Sequence, residues 1–395
     1  MLKSDSSLSE RKAAARQASP LAKAFAGLAA LAVAMGIGRF AFTPILPMMQ
    51  QDAGLTIAAG GLLASANYLG YLIGALSATV VRIPPERAIR VGLLVVGIVT
   101  IAMALPLPFV VWGLLRLLAG VASAWLLISV SAWGLEALAA YQRPFLNSLV
   151  FAGVGTGIAT AGLVCLALID ASSAQAWAAL GVLALAVTAL IWRIFGSTHA
   201  TAAGRKADAA PYRWNAQSVR MVFCYGVTGF GYIIPATFLP AMAKNALQGS
   251  ALFGWSWPVF GLAAALSTLA VSAMVRRVGN RRLWLASHFI MAFGILLPAI
   301  WPGLLAILIA ALCVGGTFMV VTLTALQEAR RVAGANATVL IAAMTSSFAA
   351  GQIIGPLTVS AGLGGGGFSL ALLVAAAALA GSALLLTADR TPHQS

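Results

Sequence analysis

The sequence predicts an all-α integral membrane protein: twelve transmembrane helices in two six-helix halves related by pseudo-twofold symmetry. Three observations predict it. The 395 residues are 61% hydrophobic and 8% charged, where a soluble chain carries about 25% charged residues. The apolar residues collect in runs of about twenty, the length a helix needs to cross a hydrocarbon core. Apart from Arg39, Arg116 and Lys244, every one of the 24 Lys and Arg lies near a terminus or at alternate gaps between those runs. That alternation is the positive-inside pattern of a chain with both ends in the cytoplasm.

The spans read 24–47, 58–81, 88–106, 109–132, 145–169, 176–194, 217–241, 251–275, 283–301, 303–326, 338–361 and 368–388. Residues 1–22 are a polar cytoplasmic tail. The run from Ala24 to Pro47 is too long for a signal peptide and holds Arg39 without a cleavage site, so it reads as a retained first helix. It opens the N-terminal half, 23–194. Residues 195–216 carry Gly196, His199, Gly204, Pro211 and mixed charges, the composition of a flexible cytoplasmic linker. The C-terminal half is 217–388, and 389–395 form a second tail. Trp255 and Trp257 open the eighth span near the outer surface and read as an aromatic belt. Gly364 to Gly367 read as a flexible outer turn. Cys165, Cys224 and Cys313 lie in apolar runs without metal or disulfide spacing, so they read as small packing residues.

The halves echo each other. Gly36, Gly38 and Pro47 of the first span recur 193 residues later as Gly229, Gly231 and Pro240. Glu136 and Glu328 end the fourth and tenth spans, and Gly153/Gly157 and Gly351/Gly355 form GxxxG pairs in the fifth and eleventh, all near the same offset. A duplicated helical unit places a solute path between its halves and works by rocking one against the other.

Several function classes fall away. The net charge of +15 sits in tails and short loops facing lipid headgroups, so no nucleic-acid partner is expected. No Ser-His-Asp set, metal cluster or phosphate loop is present, so the chain is not expected to be an enzyme, nor to carry a metal or other cofactor.

Three strings then carry a resemblance: GIGRFAFTPILP from Gly36 to Pro47, ASANYLGY from Ala64 to Tyr71, and GQIIGP from Gly351 to Pro356. With them the chain resembles the major facilitator superfamily, and within it the YbfB-type bacterial transporters, from about Lys23 to Ala388. The resemblance implies a secondary active transporter of the bacterial inner membrane, monomeric, working by alternating access, with helices 1, 4, 7 and 10 around the cavity. Arg116 and Gly120 match the Arg-x-x-x-Gly motif of proton-coupled antiporters. Three motifs are eroded. The loop after helix 2, Arg82 to Arg87, scarcely matches the superfamily loop. Arg276 stands where the loop after helix 8 expects an acid, and Gly155-Thr-Gly157 lacks the proline of the helix-5 antiporter motif.

Arg39 and Arg116 are the leading binding candidates. Each lies eight residues from the proline nearest the outer end of its helix, about 12 Å deep at 1.5 Å per residue. A charge at such depth costs roughly 2.5–3.5 kcal/mol on insertion scales. No Asp or Glu lies at that level in any span, so a carboxylate or phosphate solute would neutralise both guanidinium groups. The alternative is that each bonds backbone carbonyls freed at Pro44, Pro47 or Gly120, or snorkels. Asn67, Tyr225, Tyr232 and Gln352 complete the expected substrate-binding set. Tyr68 and Tyr71 share one helix face. Glu136 and Glu328, near Arg143, Arg330 and Arg331, are expected gate residues. Gly153, Gly157, Gly351 and Gly355 are expected helix-packing positions on the rocking surface. His288, on a helix peripheral in the superfamily, is a minor proton-site candidate.

The expected function is transport of a small organic anion or carboxylate-bearing solute, with proton coupling. Efflux of lipophilic or cationic compounds is the alternative, and a membrane sensor that moves nothing is a remote one.

Overall fold

A computed structural model describes residues 19–81, 83–139, 141, 143–195, 212–247, 250–362 and 367–387, and the regular structure among them is entirely helical. The tail before Ser19, the linker from Gly196 to Pro211, the turn from Leu363 to Gly366 and the tail after Thr387 lie outside the described residues.

Helix α1 is composite: Pro20–Leu31, a π turn Ala32–Ile37, and Phe42–Asp52. There follow α2 (Ile57–Val80), α3 (Pro85–Ala102), α4 (Phe109–Ala139), α5 (Pro144–Ala167), α6 (Ser173–Ile191), α7 (Ala216–Ala246), α8 (Ser256–Val278), α9 (Asn280–Ile300), α10 (Leu304–Ala333), α11 (Ala337–Gly362) and α12 (Gly367–Thr387). Among the described residues, eleven of these are long and apolar enough to cross a membrane, α1 counted as one span. The remaining helix, α3, carries Glu86, Arg87 and Arg90 in its first turns.

Local chemistry sets the ends. Ser19, Thr56 and Asn215 each accept a backbone N–H with the side chain at the start of α1, α2 and α7. Ser172 and Gln175 form a reciprocal capping box at α6. Such caps satisfy N–H groups that the first turn leaves orphaned. Helices α4, α7 and α10 run 31, 31 and 30 residues, about 45 Å at 1.5 Å per residue. They therefore project past a core of about 30 Å. Glu136 and Glu328 ride on those projections, at the basic face that gathers the loops rich in Lys and Arg.

The break in α1 has a stated cause. Gly38 and Phe40 donate to the carbonyls of Val33 and Met35, five residues back, and Thr43 donates to Phe40 at 3.2 Å, three residues back, instead of to Arg39. With the ladder out of register, the carbonyls of Gly38 and Arg39 are taken by side chains.

The two halves meet along α5–α8 and α2–α11, which are the same contact under the repeat. Between α1 and α7, Thr43 donates to the Ala236 carbonyl at 2.7 Å, and these positions are 193 residues apart. Equivalent positions that touch mark the pseudo-twofold axis itself.

Two expectations need correction. The GxxxG pairs do not form the surface between halves. A Cβ on Gly153 or Gly157 would meet the α1 carbonyl oxygens of Leu28 at 2.1 Å and Ala32 at 2.3 Å, and one on Gly351 the α7 carbonyl oxygen of Gly226 at 2.3 Å. Gly355 packs on Ile233, also in α7. These seams lie inside each half. Residues two apart on a helix point about 200° apart, so Gly155, not its GxxxG neighbours, faces the other half, against Ala265 of α8. The second correction is Trp257. Trp255 is exposed, but Trp257 is fully buried and stacks on Phe260 with centroids 4.8 Å apart. The same angular rule separates them.

Candidate functional site

The break in α1, α2 and the middle of α4 meet around the two buried arginines. Arg39 and Arg116 are 3% and 2% exposed. Among the described residues no carboxylate pairs with either; the ion pair at hand is Glu328 with Arg331, at the basic face.

The two side chains have different surroundings. Arg116 turns to α1. Its Nη2 donates to the Arg39 carbonyl at 2.9 Å and its Nη1 to the Gly38 carbonyl at 3.4 Å. Asn67 Nδ2 joins them, donating to Gly38 at 3.3 Å and to the Arg116 carbonyl at 2.8 Å. Gly120 makes this possible: a Cβ there would lie 2.0 Å from the Asn67 carbonyl oxygen, so only glycine lets α2 come so near α4. Hydrogen bonds from a charged group contribute about 1.5–3 kcal/mol each. The Gly38 and Arg39 contacts together offset the insertion cost of Arg116.

Arg39 turns the other way, into rings. Its guanidinium carbon lies 4.1 Å from the Tyr71 ring centroid and 5.3 Å from those of Phe40 and Tyr68. Ring faces stabilise the charge by about 0.5–2 kcal/mol each, but they do not accept directed N–H bonds. Nε and Nη2 of Arg39 meet no acceptor in the protein, and an unmet buried donor costs about 1–3 kcal/mol. Arg116 also lies near rings, 5.1 Å from Phe42 and 5.9 Å from Trp177, and its Nε is unmet, but backbone carbonyls satisfy both of its terminal nitrogens, whereas Arg39 leaves Nε and the terminal Nη2 without an acceptor.

The C-terminal half faces this cation with aromatic rings. Tyr232 stacks on Phe318 (5.4 Å, 2° between planes) and on Phe348 (5.5 Å, 16°). Tyr225 continues the stack on Phe348 at 4.7 Å. Gln352 donates to the Tyr232 hydroxyl, and its own Oε1 is buried without a partner. The structure thus joins Tyr232 to Gln352 directly and to Tyr225 through Phe348, Tyr225 lying seven residues, about 10 Å, along α7, and it turns Arg116 and Asn67 to the broken backbone of α1. Sequence reasoning did not single out Phe40, Phe318 and Phe348, because nothing local distinguishes a central phenylalanine from a lipid-facing one.

Toward the sparsely charged face, opposite the basic one, the halves are closed above the site. Tyr68 and Thr237 share a hydrogen bond of 2.9 Å, and Ser65 donates to the Ile353 carbonyl at 3.1 Å. Lys244, the one loop-end cation outside the alternation, donates to the Pro47 carbonyl at 2.8 Å and to Gln51 Oε1 at 3.0 Å. Its exceptional position was the available signal. Beyond it opens a cleft of about 940 Å³ whose lining includes Asp52, Asp170 and Asn245.

At the basic face, Arg331 grips Glu328 with Nη2 at 2.7 Å and Nε at 3.1 Å. Of the two neighbouring arginines it is Arg331 that pairs; Arg330 is exposed, as are Glu136 and Arg143. Glu328 is thereby tied to its own helix, because Arg331, one turn on, lies on the same face of α10. His288 is buried. Its Nε2 lies 3.0 Å from the Trp284 indole N–H, which can only donate, so that nitrogen is the acceptor and the proton belongs on Nδ1, toward Ser382. Such a ring is neutral and part of the packing between α9 and α12.

Among known families, the model described as the uncharacterised MFS-type transporter YbfB matches residues 31–387. No curated protein sequence matches. Among solved structures, a point mutant of the nucleoside transporter NupG aligns with a TM-score of 0.67, over 92% of this chain and 98% of that one, at 15% identity. At that identity the likeness is one of fold.

Proposed function

Because this chain belongs to the YbfB-type family of major facilitator transporters, which are multi-pass membrane proteins, we propose that it moves a small carboxylate-bearing solute by alternating access. The observation that carries the reading is Arg39: a buried central cation with two N–H groups unmet by the protein and no acidic partner among the described residues. A carboxylate accepts both donors of a guanidinium edge and neutralises its charge. Arg116, occupied with backbone, leaves Arg39 as the single anion anchor. A cationic cargo would bring its charge against Arg39, so efflux of cations is the weaker reading.

The charge alternation supports a bacterial inner-membrane location with both termini cytoplasmic. In that orientation the face closed by Tyr68, Ser65 and Lys244 is periplasmic. Accumulation is driven by protons.

Purified protein in liposomes tests the reading. Replacing Arg39→Gln abolishes carboxylate flux while assembly is retained, and a protonophore collapses accumulation. Unchanged flux in Arg39→Gln would overturn the assignment.

A further inference from the structure

We infer that the transported solute is an aromatic monocarboxylate, an inference that rests on the anion reading above and sharpens it. The single charge follows from the donors. Arg116 commits both terminal nitrogens to the carbonyls of Gly38 and Arg39, and among the described residues Arg39 is the other cation buried at this level. A second carboxylate on the solute would find no counter-ion there.

The aromatic body follows from what lies opposite. Six rings of the C-terminal half form one stack, in the order Trp257, Phe260, Phe318, Tyr232, Phe348 and Tyr225. Successive centroids lie 4.8, 5.6, 5.4, 5.5 and 4.7 Å apart, and no neighbouring planes differ by more than 29°. Every member comes from α7, α8, α10 or α11, so the stack moves as a unit with its half. Arg39, Tyr68 and Tyr71 move with the other. Phe40 links the two sides: its ring meets Phe318 edge-on at 6.5 Å and Trp257 at 6.3 Å. When the halves part, that contact opens a gap with a cation and its rings on one wall and stacked rings on the other. A flat solute with a terminal carboxylate fits both walls. Its charge meets Arg39 and its ring replaces Phe40 against Phe318, where ring geometry contributes beyond buried area.

The test uses full-length protein in detergent and three probes: benzoate, cyclohexanecarboxylate of the same charge and carbon count, and benzylamine. Binding is read by calorimetry and by thermal shift. The expected result is benzoate binding roughly tenfold tighter than cyclohexanecarboxylate, with no saturable benzylamine binding. Phe318→Leu, which keeps apolar volume, removes that tenfold preference while cyclohexanecarboxylate binding persists and reports an intact fold. Arg39→Gln loses both acids. Equal affinity for the two acids, both lost in Arg39→Gln, overturns the aromatic inference and leaves the anion reading standing. Binding of benzylamine in place of benzoate, no saturable binding of either acid, or acid binding unaffected by Arg39→Gln, overturns the anion reading and this inference with it.

Discussion

A guanidinium that donates to the carbonyls of Gly38 and Arg39 is not also available to a solute, and this separates two arginines that look equivalent in sequence. Arg116→Gln removes both bonds and strands the Arg39 carbonyl, while the Gly38 carbonyl keeps Asn67, so it lowers stability by about 3 kcal/mol and weakens solute binding only through displacement of Arg39. Arg39→Gln has the opposite profile. It removes a buried charge whose Nε and Nη2 are unmet, so thermal unfolding in detergent shows a midpoint equal to or above wild type while transport is lost. Function commonly costs stability in this way. A large fall in the unfolding midpoint of Arg39→Gln would mean that its ring contacts are structural. That both arginines are buried at one level was legible from spacing alone. Which one faces the solute path was not, since it depends on where the broken turn of α1 aims its carbonyls and on Gly120 bringing α2 close enough for Asn67 to share them.

Helices were legible in order and approximate extent, because an apolar run is a direct reading of what faces lipid. Their ends were not. Hydropathy stops where the hydrocarbon stops, yet α4 and α10 carry on to Ala139 and Ala333, so Glu328 and Arg331 pair as helical neighbours. Which face of a helix meets which partner was also hidden: Gly153 and Gly155 differ by two positions and pack on different halves. Gly157 offers a test at this scale. Its Cβ position overlaps the Ala32 backbone, and Gly36 comes within 2.2 Å of the Gly157 carbonyl carbon when given a Cβ. Gly157→Val therefore separates α1 from α5, at a cost of at least about 1–3 kcal/mol for overpacking, seen as a lowered unfolding midpoint and reduced yield of monodisperse protein. Gly316→Val in α10 makes the same change of residue where no atom lies within 4 Å, and its midpoint stays within a degree or two of wild type. Equal losses in both variants would show that side-chain entropy, not the close seam, sets the effect.

For the whole molecule, the repeat offset proves to be a contact map as well as a record of duplication. Thr43 touches Ala236 and Gln51 touches Lys244, each across 193 residues, because the axis relating the halves passes between α1 and α7. Halves that rock against each other across this axis must break these bonds to open the face they close. Thr43 and Tyr68 contribute neutral hydrogen bonds, about 0.5–1.5 kcal/mol each, while the Lys244 ammonium contributes a charged one, about 1.5–3 kcal/mol. Lys244 is thus the strongest single link at that end, which explains a lone cation on a face the charge pattern otherwise leaves nearly bare. Removing it shifts the equilibrium toward the form open at that face by roughly ten- to a hundredfold. Access is measurable with a thiol reagent at a cysteine replacing Ala241, which is 1% exposed in α7, in a background lacking Cys165, Cys224 and Cys313. Lys244→Gln raises the alkylation rate there by at least about tenfold, and saturating solute lowers it again. An unchanged rate would remove Lys244 from the latch and leave the closure to the Thr43, Ser65 and Tyr68 contacts below it.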